Sequence, residues 1–179
     1  TAGVIQVVCT GGVDISTEKP FAGVLKTLTV KEENNDTISA IVTPITTLVA
    51  GVVEISDSNE VVTVSDIQAA KANIASSLNI NTAEIETDFI QNKNIKVAKR
   101  SSQLATISKL TLQEISKNTS RTTAAESVRK ALAEAINDST TFNLADSGSI
   151  QQVLTKASTV AAEITQDPTI ISTVAENSE

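Results

Sequence analysis

Two periodicities divide the chain. Up to about residue 42 the apolar residues gather in short β-branched runs, VIQVVC (4–9), VLKTLTV (24–30) and TISAIV (37–42), bounded by turn formers such as TGG and KEENND. Such runs predict strands. In VLKTLTV, Val24, Thr27 and Thr29 do not alternate cleanly with Leu25, Leu28 and Val30, so that run leaves its own register open. At VTPITTLVAGVVEI the period changes. Thr43 has the chemistry of an N-cap, Pro44 has the fixed φ that suits a first helical position, and Ile45, Leu48, Val49, Val52 and Val53 repeat on one helical face. Thr46 and Thr47 are expected either to face outward or to bond back to the preceding turn.

Further helices follow. SDIQAAKANIASSL places Ser65 and Gln68 in the S-x-x-Q spacing of a capping box and lines Ile67, Ala70, Ile74 and Leu78 along one side. After the connector NINTAEIETDFIQNKN, a long helical pattern over about 93–117 carries Ile95, Leu104, Ile107, Leu110 and Ile115. TSRTTAAESVRKALAEAIND offers Thr122 or Thr123 as a cap and Val128, Leu132, Ala135 and Ile136 as a stripe. SGSIQQVLTKASTVAAEI repeats Ile150, Val153, Leu154, Ala157, Val160, Ala161 and Ile164 in register, and Pro168 stops it and can open a short last helix, PTIISTVAEN. The pattern predicts an α+β fold, with a small N-terminal antiparallel β region over 1–42 followed by a bundle of about five or six helices over 43–179.

Composition narrows what this fold can do. In 179 residues Phe21, Phe89 and Phe142 are the only aromatics and Trp, Tyr and Met are absent, so the core must be aliphatic. A formal net charge of −7 argues against nucleic acid, which calls for a basic face. It also argues against an anionic membrane surface, and the densest basic stretch, KVAKR (96–100), reads as a solvated helix face. No apolar window is long enough to span a bilayer. The chain begins at Thr1 without a leader pattern, which reads as a processed product or a fragment. Cys9 is alone, which excludes an internal disulfide and a CxxC site; a buried structural thiol is the expectation and an intermolecular bridge the alternative.

Chemistry is sparse. Without histidine the commonest general base and metal ligand is missing, and no catalytic residue is assigned. TAEIETD brings Glu84, Glu86 and Asp88 close in sequence. In an extended segment they would share one side, as a solvated acidic edge or as an oxygen site for a hard cation such as Ca2+. Asp57, Glu60 and Asp66 pose the same question. CTGG lacks the rest of a phosphate loop and reads as a turn with positive φ at Gly11 or Gly12. Asn-x-Ser/Thr triplets at 35, 118 and 137 are expected by chance in a chain this rich in Asn, Ser and Thr.

One resemblance adds to this reading. Gly11, Gly12, Asp14, Ser16, Thr17, Pro20, Phe21, Gly23 and Leu25, followed by Thr43, Pro44, Thr46, Thr47, Leu48 and Val49, resemble two motifs of a module that recurs in very large secreted or surface-attached, adhesin-like bacterial proteins. The likeness covers about residues 9–50. It implies that the first motif closes a β-sandwich, here incomplete or shared because the preceding strands and their acidic calcium-type loop are missing, and that the second opens a helical region. On this reading the Gly turns, Pro20 and a Phe21 plug fix a hairpin against the helices, and Asp14 accepts backbone N–H groups in its turn. The expected function is a noncatalytic structural or adhesive module of an extracellular bacterial surface protein. It would assemble with its own kind or with neighbouring modules through strand pairing by VIQVVC or TISAIV, as far as a fibre. No cofactor is required by this reading. The alternative is a Ca2+- or carbohydrate-binding module, for which the sequence lacks aromatic platforms.

Overall fold

The computed structural model describes residues 3–14, 18–21, 23–31, 38–56, 61–138 and 142–165. The fold is α+β: among the described residues, an N-terminal antiparallel two-stranded sheet is followed by five α-helices. Strand β1 (Gly3–Thr10) pairs along its whole length with β4 (Val24–Lys31), from Gly3 opposite Lys31 to Thr10 opposite Val24. Between them β2 (Val13–Asp14) and β3 (Lys19–Pro20) form a minimal second ladder. The turn into it uses φ of +70° at Gly11 and +87° at Gly12, where a side chain would be strained, so both glycines meet the expectation.

Helix α1 (Pro44–Ser56) starts where Thr43 and Pro44 predict. The Thr43 Oγ1 accepts the Thr46 N–H at 3.1 Å, and the Thr46 Oγ1 accepts the Thr43 N–H at 2.8 Å, a reciprocal cap built from two threonines. Ile45, Leu48, Val49, Val52 and Val53 are all buried. Helix α2 (Val64–Leu78) buries the predicted Ile67, Ala70, Ile74 and Leu78 but begins elsewhere than expected. Thr63, with extended φ and ψ, is the N-cap, and Asp66 returns the bond to the Thr63 N–H at 2.7 Å. A Thr-x-x-Asp box two residues upstream outcompetes Ser65 and Gln68 because a carboxylate accepts more strongly than an amide. A 3-10 turn at Thr82–Glu84 leads towards α3 (Ile95–Ile115). There Leu104, Ile107 and Ile115 are buried as predicted, but Ile95 and Leu110 are exposed, 82% and 59%, and Val97, Ser101 and Thr111 take the inner face. Helix α4 (Arg121–Asp138) is capped by the Ser120 Oγ, which accepts the Thr123 N–H at 3.1 Å, so the cap lies ahead of Thr122 and Thr123. In α5 (Ser147–Thr165) Asp146 performs the same task for Ser149 at 2.8 Å. The short last helix expected after Pro168 lies outside the described residues.

Small side chains let the helices approach closely. Ala131 and Ala135 of α4 and Ala157 and Ala161 of α5 are fully buried, as are Ser127 and Ser158. In α1, Gly51 stands against Ala133, and a Cβ there would lie 3.2 Å from the alanine methyl. The sheet belongs to the same core, since Leu28 is part of the buried cluster and Val4 packs on it.

Two further expectations fail. Residues 38–42 form no strand. Their β-branched residues favour an extended chain, but a strand needs a free edge, and the neighbouring edge of β4 is occupied by α1 at Lys26. Cys9 is exposed rather than buried. It faces the side of the sheet opposite to Val4, Gln6, Lys26 and Leu28, and it is Val4 and Leu28 on the latter side that join the helical core.

Candidate functional site

The β hairpin presents two edges of different character, and hydrogen bonding at Lys26 defines both. The Lys26 N–H donates to the Thr47 Oγ1 at 2.8 Å, and the Thr46 Oγ1 stands 3.1 Å from the Lys26 carbonyl. The Thr47 hydroxyl donates back to the Thr43 carbonyl at 2.8 Å. Two hydroxyls from the first turn of α1 thus occupy the place of a third strand. Thr46 and Thr47 bond back to the turn as one expectation had it, and Thr46 is 2% exposed. The outcome not foreseen is that they also seal a sheet edge. A sequence signal existed, namely two consecutive hydroxyl residues at the start of an otherwise apolar helix.

Since Lys26 turns its amide and carbonyl outward, its partner Val8 forms a non-hydrogen-bonded pair with it. The alternation then sets the whole ladder. Val4, Gln6, Val8 and Thr10 direct their N–H and C=O groups away from β4, and no hydrogen bond from a described residue reaches those groups. Among the described residues β1 is therefore an open edge of eight residues without charge, proline or bulge, the devices that ordinarily blunt one. Val8 is 48% exposed on it.

Beside this edge lies a compact charge cluster. The Glu54 carboxylate accepts from the Gln6 Nε2 at 3.0 Å and the Lys26 Nζ at 3.1 Å, and it meets the Arg129 guanidinium. Arg129 also bonds Glu126 at 2.6 Å. Burial pushes the Glu126 carboxyl up, but the Arg129 hydrogen bond and charge outweigh it and hold the group below its ordinary value. Two cations and two anions cancel, and the cluster ties β1 and β4 to α1 and α4.

The sequence-predicted residues are placed as follows. Glu84 closes the 3-10 turn, accepting from the Asn81 N–H at 2.7 Å and the Asn94 Nδ2 at 2.6 Å. The Asn81 backbone bond, then that of Asn94, lowers its pKa. Glu86 pairs with the buried Lys71 at 2.7 Å, and the Asp88 Oδ1 accepts the Ile90 and Gln91 N–H groups at 3.0 and 2.9 Å. The three carboxylates serve three separate structural bonds, and among the described residues no group of three or more ligand side chains converges on one point. Of the hairpin motif, Gly11 and Gly12 turn the chain and the Phe21 N–H bonds the Gly12 carbonyl at 2.9 Å. Phe21 does not plug the helices; its ring lies over Gly23, where a Cβ would come within 2.6 Å of it. That contact explains Gly23. The side chains of Asp14 and Pro20 fall outside those described.

Elsewhere, a groove of about 1000 Å³ runs between α3 and α5, lined by Leu110, Leu144, Ile150 and Leu154 with Gln103 and Glu114 at its sides. It offers apolar contact flanked by polar side chains. Among the described residues no helix is long and apolar enough to cross a membrane. Comparison with protein-family models, with curated proteins and with solved structures finds no match.

Proposed function

We propose that this chain is a noncatalytic structural module of an extracellular bacterial surface protein, which joins its neighbours by adding a strand at the outer edge of β1. The observation that carries the reading is that edge. It is long, unbroken in register and uncharged, with the backbone groups of Val4, Gln6, Val8 and Thr10 directed outward, and main-chain hydrogen bonding to an incoming strand is the interaction it is suited to make. The surface setting rests on the resemblance of the Gly11–Leu25 and Thr43–Val49 motifs to adhesin-like proteins. TISAIV, the other segment considered for pairing, has no part in it because residues 38–42 form no strand.

The test is the mass of the chain in solution, by light scattering over a concentration series in reducing buffer, against the variant Val8→Pro. The Val8 N–H points away from β4, so proline there removes no internal bond and is tolerated at an edge. Its ring obstructs an incoming strand and withholds a donor. Assembly of the parent chain and its loss in Val8→Pro are expected; a protomer mass throughout, or equal assembly by the variant, would overturn the reading.

A further inference from the structure

Resting on that reading, we propose that the strand added at β1 is β1 of a second copy, paired antiparallel about a two-fold axis at Val7, so that the assembly closes as a dimer with a four-stranded sheet. Three observations lead there. The first is that, among the described residues, the edge of β1 meets no partner, whereas that of β4 is met by α1 at Lys26. A fibre of this chain needs two complementary edges, but α1 sits on β4, where Thr46 and Thr47 hold the Lys26 backbone and Leu28 is buried. Pairing through a single patch must be isologous, and it ends at two copies.

The second is charge. Copies of a chain with net charge −7 repel one another, yet Gly3–Thr10 carries no charge, and the nearby Lys26, Arg129, Glu54 and Glu126 balance. This edge is where like copies meet without like charges facing. A charged foreign strand would gain no ion pair from a neutral edge.

The third is register. The outward groups belong to residues 4, 6, 8 and 10. An axis at Val7 sets Val4 opposite the partner's Thr10 and Gln6 opposite the partner's Val8, so all four outward residues enter hydrogen-bonded pairs, each exchanging both of its bonds. An axis at Gln6 leaves Thr10 without a partner inside the strand. With the axis at Val7, the exposed Val8 is covered. On the opposite face, Ile5, Val7 and Cys9 continue into the partner's Cys9, the partner's Val7 and the partner's Ile5 as one apolar strip.

This register makes a prediction that mere association does not. The two Val7 residues face each other as a non-hydrogen-bonded pair, with Cα atoms about 4.5 Å apart, within disulfide reach. The two Cys9 residues lie about 13 Å apart, beyond it. The experiment uses the full chain. In reducing buffer light scattering should give twice the protomer mass, falling to one protomer in Val8→Pro with an unchanged far-UV CD spectrum. On oxidation, Val7→Cys combined with Cys9→Ser should run as a covalent dimer on a non-reducing gel, and the parent chain, oxidised alike, should not. Filaments in the electron microscope, or a Val8→Pro-sensitive assembly in which the Val7→Cys, Cys9→Ser chain stays unlinked, overturn the two-fold pairing and leave strand addition at β1 standing. A protomer mass at every concentration overturns both.

Discussion

Single atoms decide much in a core made of thin side chains. Ser158 in α5 is fully buried and its Oγ has no hydrogen-bond partner among the described residues, whereas the equally buried Ser127 of α4 donates to the Thr123 carbonyl at 2.8 Å. An unmet buried hydroxyl costs about 1–3 kcal/mol. Ser158→Ala is therefore expected to raise Tm by about 2–4 °C, as about 1 kcal/mol does in a chain of this size. Ser127→Ala is expected to lower it, and scanning calorimetry of the pair reads the contrast. Glu84 makes a second residue-scale prediction. Its carboxyl is held below the ordinary 4.5, first by the Asn81 backbone bond. A group with a depressed folded pKa contributes stability that is complete above the unfolded value and is lost as pH falls through the folded one. Urea unfolding of the parent chain should therefore weaken below about pH 4.5, and Glu84→Gln, which lacks that contribution at neutral pH, should show a smaller fall over the same acid range.

At the scale of elements, the helices were legible because each buried face repeats with a period of 3.6, and the faces of α1, α2 and α4 match the pattern residue for residue. Their ends were less legible. Thr63 and Ser120 each lie upstream of the residue that the pattern favours as cap, since capping depends on which side chain finds extended backbone rather than on composition. The exposure of Ile95 and Leu110 has a different cause. Apolar residues outnumber the inward positions of α3, and packing against α4 and α5 selects among them. Two of the three expected strands were legible in place, but TISAIV was not a third, because the partner of β4 at Lys26 is a pair of side chains, which no strand propensity reports. That seal is testable in isolation. Thr47→Val keeps the shape and removes the acceptor, leaving the part-buried Lys26 N–H unmet. A loss of about 1–3 kcal/mol is expected in chemical unfolding, with the helical CD spectrum retained.

At the scale of the molecule, the composition change near residue 42 reads as a boundary, but the packing crosses it. Leu28 of β4 is 6% exposed inside the helical core, Val4 of β1 packs on the same cluster, and Glu54 of α1 gathers Gln6, Lys26 and Arg129 from three other elements. A hairpin of two strands is marginal alone in water and draws its order from whatever it packs against. The hairpin and helices should therefore unfold together. Leu28→Ala tests this, since removing a buried leucine to a methyl costs about 2–5 kcal/mol. If the two parts share one core, that single change in a strand should lower the midpoint of the helical CD signal at 222 nm by about 4 °C or more, with one transition. Reaction of the exposed Cys9 thiol with a chromogenic reagent gives no separate step to follow, but amide exchange does. In the parent chain the inward amides of Val7 and Thr27 should open with the global transition, whereas a hairpin that merely rests on the bundle would exchange first and leave the Leu28→Ala helices at their parent midpoint. Coupling of this kind would also serve the proposed pairing, because a rigidly held β1 would meet an incoming strand with its backbone already ordered, and association would then be spared that entropy.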